Sequence, residues 1–359
     1  VVDTENARQD PELFLNNHKT PLILDEIQYA PEVVAALKRR VDKIRSPGQY
    51  LLTGSQQWGV LKSMAESLAG RAVFLDLEGF SIAEILETTD KIPWLEHFIK
   101  NPKEIPKVNR RALPFFLSEQ LYRGFFPEAQ NLPLHTIPDF YEGYLRTYIE
   151  RDVRLLTDVN DLFTFNRFVR VAAALSAQEI NMSHLGRELG LTPQTSKRWL
   201  HLMEATFQWA SVSAFFGNMI KRVSAKNKGY FTDTGLLCHA QAISSPEALA
   251  GHPLWGAIFE TAVVSEIRKT IHCFNVPPKI YHWRRYSSAE VDLILERDGI
   301  FYPIEIKASS RVNRTDARGI TAFREHHPHL KISNGILIAP VEKAFFITEK
   351  DFVMPWDAV

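Results

Sequence analysis

The chain has 359 residues, 45% apolar and 23% charged, with 42 basic side chains against 42 acidic ones. That length exceeds what one hydrophobic core usually organises, so two or three domains are expected, and the composition excludes disordered, collagen-like and disulfide-stapled chains. A formal charge of zero at pH 7 argues against a protein that coats nucleic acid indiscriminately, while allowing one basic face on a neutral body.

No run approaches the ~18 consecutive apolar residues of a membrane span, and the start VVDTENARQD lacks the basic flank and apolar stretch of a signal peptide. A cytoplasmic protein with no membrane partner is expected. Cys238 and Cys273 have no zinc-site neighbours, and the 12 histidines show no ligand spacing.

Pro21 to Leu24 predicts a buried strand that ends in Asp25-Glu26. At the carboxyl end of a strand in an open α/β sheet, Asp25 can hold a magnesium ion through its water shell and Glu26 can polarise a water; an acidic helix cap would look the same. A helix over 31–43 follows, with Val34, Leu37 and Val41 at helical spacing. Next comes the strand Tyr50 to Leu52, ending in Thr53-Gly54-Ser55. Thr53 or Ser55 could sense a phosphate or the attacking water, or could simply open a helix. A helix over 60–68, Gly70-Arg71 and a third strand over 72–77 complete a parallel, doubly wound pattern, with Arg71 available for phosphate charge. No GxxxxGK loop occurs in the chain, so this segment by itself is expected to bind ATP weakly or not at all.

Between 100 and 138, six prolines leave only short helices in a lid or linker, with Lys103, Lys107, Arg110 and Arg111 as a small positive cluster. Asp139 is expected to cap a packing helix from Phe140 to about Leu155 with ion-paired flanks. Residues 167–210 then read as a helix, a short helix over 183–189, the turn Gly190 to Pro193 with Thr192 as cap, and a helix over 194–203. The last helix presents Gln194, Lys197 and Arg198 to solvent, suitable chemistry for a groove in duplex DNA. A hairpin after it, decorated by Lys221, Arg222, Lys226 and Lys228, allows a winged-helix reading with these lysines on phosphates. Plain packing is the alternative.

In the last third, a helix over 253–268 carries Glu260 and Glu266, a strand covers 280–283, and a hairpin joins 290–295 to 300–308 through Arg297-Asp-Gly299. Alternation along its strands places Asp292 beside Glu305 and Lys307. Two carboxylates and an ammonium inside apolar strands call for a compensating partner, for which a divalent metal is a candidate.

The run PLILDEIQYAP, then QYLLTGSQ, SLAGR, YLRTYIERDV, KGYFTDTGLL and EVDLILERDG-IFYPIEIKAS resembles, through essentially the whole chain, the bacterial and archaeal AAA-type ATP-binding proteins that end in a restriction-endonuclease-like domain. The resemblance implies an α/β chain in four parts. These are a partial P-loop ATPase sheet over 1–78, a helical linker over 79–165, a winged-helix unit over 166–230 and a restriction-endonuclease-like α/β domain over 231–359. It assigns Asp25 and Glu26 to the metal and the attacking water, Ser55 to the sensor position and Arg71 to a recurrent arginine. ATP and magnesium would be cofactors of a parent protein that carries the phosphate loop.

The same resemblance matches Asp292, Glu305 and Lys307 to a D…ExK site, with the two acids on magnesium, Lys307 orienting water and Glu260 a further metal contact. A charge network inherited from a nuclease fold that no longer cuts is the other reading. Expected partners are duplex DNA, a second copy of the chain, or a protein regulated by the ATPase.

Overall fold

The computed structural model describes residues 2–54, 68–106, 111–147, 162–216, 226–285 and 289–359. Ser55, most of the helix expected over 60–68, Lys107, Arg110, the second half of the helix expected from Phe140, Lys221 and Arg222 lie outside them. The architecture is mixed α/β.

Near the N-terminus, β1 (Leu22–Leu24) and β2 (Tyr50–Leu52) pair in parallel, with Leu24 opposite Leu52. A parallel pair needs a crossover, and the helix Val33–Lys43 supplies it. Its side chains Val33, Val34, Ala36 and Leu37 pack with Leu15, Leu24, Ile27 and Leu68 in a small core of their own. Each buried aliphatic side chain contributes about 1.5–3 kcal/mol. Ile23 and Leu51, which alternation turns to the other face of the pair, are more than half exposed.

The third strand expected over 72–77 is not formed. The segment has no ladder partner among the described residues, and Val73, Leu75 and Leu77 are each more than 80% exposed. Its apolar residues satisfy the pattern of a strand, but a strand needs a neighbouring strand to hydrogen-bond with, and none of the described residues supplies one.

Most of the rest of the chain shares a large core that runs from Ile82 to Ala358, with two smaller clusters beside it, around Trp283 and Phe323 and around Leu337 and Val353. The helix Ile137–Thr147 begins earlier than expected, so Asp139 lies in its first turn instead of capping it. The one hydroxyl proton of Tyr141 on this helix is shared between Asp233 Oδ1 at 2.9 Å and the Arg123 carbonyl at 2.7 Å. Asp233 also accepts from the backbone N–H of Phe125 at 2.6 Å and caps the helix Thr234–Ala240 through Leu236 N–H at 2.9 Å. This fully used carboxylate ties the linker to the body behind it.

The helix Leu162–Ala174 leads to the short strand β3 (Gln178–Glu179), the helix Met182–Arg187 and the helix Pro193–Ala205. The turn between the last two helices agrees closely with the sequence pattern. Gly190 takes φ 65°, Thr192 Oγ1 accepts from Thr195 N–H at 3.2 Å, and Pro193 opens the helix. Proline suits that first position because the N–H it lacks would have had no helical partner. Trp199 on the inner face of this helix meets Phe165 and Phe168 edge-on at 5.3 and 5.4 Å.

Strands β4 (Trp209–Ala214) and β5 (Lys228–Phe231) form the expected antiparallel pair, with β3 on the far side of β5. These strands are continuous with the sheet of the C-terminal third. The last residues of β4, Ser213 and Ala214, pair in parallel with β6 (Lys279–Arg284), which continues antiparallel into β7 (Glu290–Arg297) and β8 (Ile300–Ile306). Asp298 and Gly299, at φ 54° and 73°, make the tight turn between β7 and β8. The edge is built by β10 (Gly335–Ala339) parallel to β8, β12 (Asp351–Pro355) parallel to β10 and the short β11 (Phe345–Phe346), while β9 (Lys331–Ile332) pairs separately with β8. One ten-stranded sheet results, in the order β11-β12-β10-β8-β7-β6-β4-β5-β3 with β9 off that path. The long helix Trp255–His272 lies in the same core.

Candidate functional site

At the carboxyl ends of β1 and β2, Asp25 and Glu26 stand beside Thr53. The Thr53 hydroxyl donates to Asp25 Oδ1 and accepts from the backbone N–H of Glu26 at 3.3 Å, so one side chain joins the two strand ends. The backbone closes the same corner, with Ile27 N–H donating to the Thr53 carbonyl and Thr53 N–H to the Leu24 carbonyl, each at 3.0 Å. Glu26 sits in the left-handed region at φ 53°, an uncommon conformation for glutamate, and Gln28 donates to its carboxylate. Arg71 is not part of this corner: its guanidinium binds Asp42 through Nε at 2.7 Å and Nη2 at 3.0 Å. Ser55 lies outside the described residues.

On the helix Pro193–Ala205, Gln194, Lys197 and Arg198 are exposed on the face opposite Ser196, Trp199 and Leu200, which are buried. They share an accessible surface.

The third group departs most from expectation. Lys228, expected on the outer face of a hairpin, is 3% exposed and points into the protein. Its Nζ lies 2.7 Å from Glu260 Oε1, 2.8 Å from Glu290 Oε1 and 3.2 Å from Asp292 Oδ1. Glu260 comes from the long helix Trp255–His272, and Glu290 and Asp292 from β7. Tyr230 donates its hydroxyl to the same Glu260 oxygen at 2.8 Å. Burial alone would lower the pKa of this lysine, but Tyr230 and the carboxylates of Glu260, Asp292 and Glu290 raise it, so it stays charged. Burial and the Asp292 charge push Glu260 up to about 7 against the pull of Lys228.

Glu305 and Lys307 meet as the hairpin alternation predicts, Lys307 Nζ lying 2.8 Å from Glu305 Oε1. Burial and the nearby charge of Asp292 raise the Glu305 carboxyl well above its ordinary range. Lys307, expected to orient or activate a water, has a raised pKa: burial opposes its charge, but Glu305 holds it as ammonium.

Both oxygens of Asp292 are committed, Oδ1 to Lys228 and Oδ2 to the Ile306 N–H at 2.9 Å. Glu305 Oε2 is buried and has no hydrogen-bond partner. Magnesium takes about six oxygens in near-octahedral geometry. Waters fill part of such a shell, but the carboxylates that would anchor it are already paired with Lys228 and Lys307, and the described residues contain no group of three or more histidine, cysteine or acidic side chains arranged to hold a metal ion. The expected ligand set of Glu260, Asp292 and Glu305 therefore does not fit magnesium as it stands. Lys228 is the residue that sequence reasoning misplaced. The signal that could have found it was the single lysine in an otherwise apolar strand that the helix acid and hairpin acids would face.

Three family models match successive parts of the chain: an AAA domain over 2–86, a domain of unknown function (DUF8612) over 115–247, and another (DUF4143) over 255–359. Two similar curated proteins are the uncharacterized proteins Mb2031c of Mycobacterium bovis and Rv2008c of Mycobacterium tuberculosis. Each is 25% identical over 351 residues, covering 98% of this chain and 71% of the relative. No solved structure matches. Among the described residues no helix is long and apolar enough to cross a membrane. The AAA match spans β1, its crossover helix and β2, so the corner formed by Asp25, Glu26 and Thr53 lies in an AAA-domain-like region with nucleotide-binding potential.

Proposed function

We propose that the chain is part of an AAA-type, nucleotide-responsive protein that contacts duplex DNA through the helix-turn-helix over 182–205, which β3, β4 and β5 complete as a winged helix. The observation that carries the nucleotide half is the Thr53 hydroxyl bound to Asp25 across two parallel strand ends. In a phosphoryl-transfer site one acid holds the magnesium water shell, the next orients the attacking water, and a polar side chain on the adjacent strand registers which phosphates are present. Asp25, Glu26 and Thr53 have the chemistry for those three roles. The backbone cradle and lysine of a GxxxxGK loop do not occur in these 359 residues, so in an ATP-binding parent they come from elsewhere.

Gln194, Lys197 and Arg198 support the DNA half, as three exposed donors on a helix entered through a capped, glycine-bearing turn. The burial of Lys228 favours a second reading, a nucleotide-regulated protein-interaction module, because it removes one of the cations expected on phosphates.

Fluorescence anisotropy of a labelled duplex, measured against salt, tests the proposal. Affinity should fall linearly on logarithmic axes. In a parent carrying the phosphate loop, magnesium-ATP should shift that affinity, and Thr53→Val should abolish the shift. Absence of duplex binding at low salt would transfer the helix to the protein-interaction reading.

A further inference from the structure

Lys228 raises a question that the nucleotide and DNA readings leave open: why a lysine on β5 is only 3% exposed and meets acids from two other elements. A buried lone ammonium is prohibitively unfavourable, and so is a cluster of carboxylates of which Asp292 is buried, Glu260 largely so and Glu290 partly exposed. Each is tolerable only as the partner of the other. Three oxygens surround Nζ at 2.7, 2.8 and 3.2 Å: it donates hydrogen bonds to Glu290 and Asp292 and forms an ion pair with Glu260.

We propose that Lys228 is the resident cation of this acidic site, an ammonium contributed by the chain itself where a divalent metal would otherwise sit, and that it clamps the helix-turn-helix sheet onto the C-terminal body. The geometry carries both halves. Lys228 occupies the common focus of Glu260, Glu290 and Asp292, so a metal sharing those oxygens would have to displace it. It belongs to the strand between β3 and β4, whereas all three acids belong to the helix Trp255–His272 and to β7. The clamp therefore spans the junction between the part that carries the exposed donors and the part that carries the D…ExK residues. Glu305 Oε2, buried and unpartnered, is the group left over once the ammonium has taken the other acids.

The experiment is calorimetric titration and thermal unfolding of the full chain with Mn²⁺. All proteins carry Asp25→Asn and Glu26→Gln, so that the N-terminal acids contribute nothing. With Lys228 present, no saturable binding that depends on Asp292 is expected, and the melting temperature should be the same with and without the ion. Lys228→Met should acquire a site for one Mn²⁺ that raises its melting temperature, and adding Asp292→Asn should remove it again. If Lys228→Met does not fold in metal-free buffer, recovery of folded protein on adding Mn²⁺ is the readout. Saturable Mn²⁺ binding by the Lys228 protein that disappears in Asp292→Asn would overturn the proposal. So would a Lys228→Met chain that neither binds Mn²⁺ nor is restored by it. None of these outcomes depends on nucleotide or DNA, so the two proposals fail separately.

Discussion

The ammonium of Lys228 and the carboxylate of Asp292, 64 positions apart in the chain, lie 3.2 Å from each other although their strands are not neighbours. In the sheet order β7-β6-β4-β5, three strand spacings separate them, about 14 Å on a flat sheet. The strand that links them is β4, which pairs with β5 and with β6 through different residues. Residues 209–212 pair with β5 while residues 213 and 214 pair with β6.

Removing the cation should therefore weaken the body of the protein. Lys228→Met leaves buried carboxylates unpaired, a change that costs about 3–5 kcal/mol when one partner of a buried pair is deleted. Urea unfolding followed by tryptophan fluorescence should show the midpoint fall by a corresponding amount. Glu290→Gln should do much less, because the Glu290 side chain is 37% exposed and water can replace its partner.

A pH dependence arises from Glu260, whose pKa rises on folding from an ordinary 4.5 to about 7. The folded protein holds this proton more tightly than the unfolded chain. Its contribution to stability is thus complete below about pH 4.5 and is lost as pH rises through 7. Between those values the wild type should lose stability with rising pH relative to Glu260→Gln, in which the slope from this group is absent. Melting temperatures of the two proteins across pH 4.5 to about 8 check this, and parallel curves would refute it.

Lys197→Ala and Arg198→Ala should each weaken duplex binding at low salt and reduce the slope of log affinity against log salt by about 1 if each side chain neutralises one phosphate. Gln194→Ala should leave the slope unchanged while altering preference among sequences. Equal slopes in all three variants would mean that the face carries no phosphate contacts.

Gly186 packs directly against the start of the second helix of that unit. A methyl there would run into Ser196 Oγ and lie 2.9 Å from the Leu191 carbonyl. Gly186→Ala should push the helix Pro193–Ala205 outward and destabilise the unit by about 1–3 kcal/mol, the usual consequence of overpacking. Hydrogen exchange should show faster opening over 182–205 with β10 and β12 unaffected. Uniform protection would place the strain elsewhere.

Local patterns were legible in the sequence wherever their causes are local. Asp25 and Glu26 come directly after a short apolar strand, Thr192 and Pro193 open a helix, and Asp298-Gly299 closes a hairpin. In each case the deciding physics is backbone preference or capping within a few residues. Alternation along β7 and β8 likewise brought Glu305 to Lys307. The same reasoning overreached at 72–77, where an apolar run has the propensity of a strand but no neighbour among the described residues to complete its ladder.

The sequence by itself therefore determined the identity of most elements and the residues at their ends: a mixed α/β chain, an acidic strand end, a helix capped by Thr192 and a charged hairpin. Beyond the neighbours Glu305 and Lys307, only the tertiary structure decided which charges meet. Lys228 reads as a solvent-facing lysine of a basic hairpin because charge and solvation look local along a chain. Its destination is set by the pairing of a ten-stranded sheet and by a helix well downstream, from which Glu260 reaches to 2.7 Å. Arg71 shows the same limit in miniature: its sequence neighbours suggest a phosphate to stabilise, and packing pairs it with Asp42. Buried electrostatics depend on distances between segments remote in sequence, and no periodicity encodes those distances.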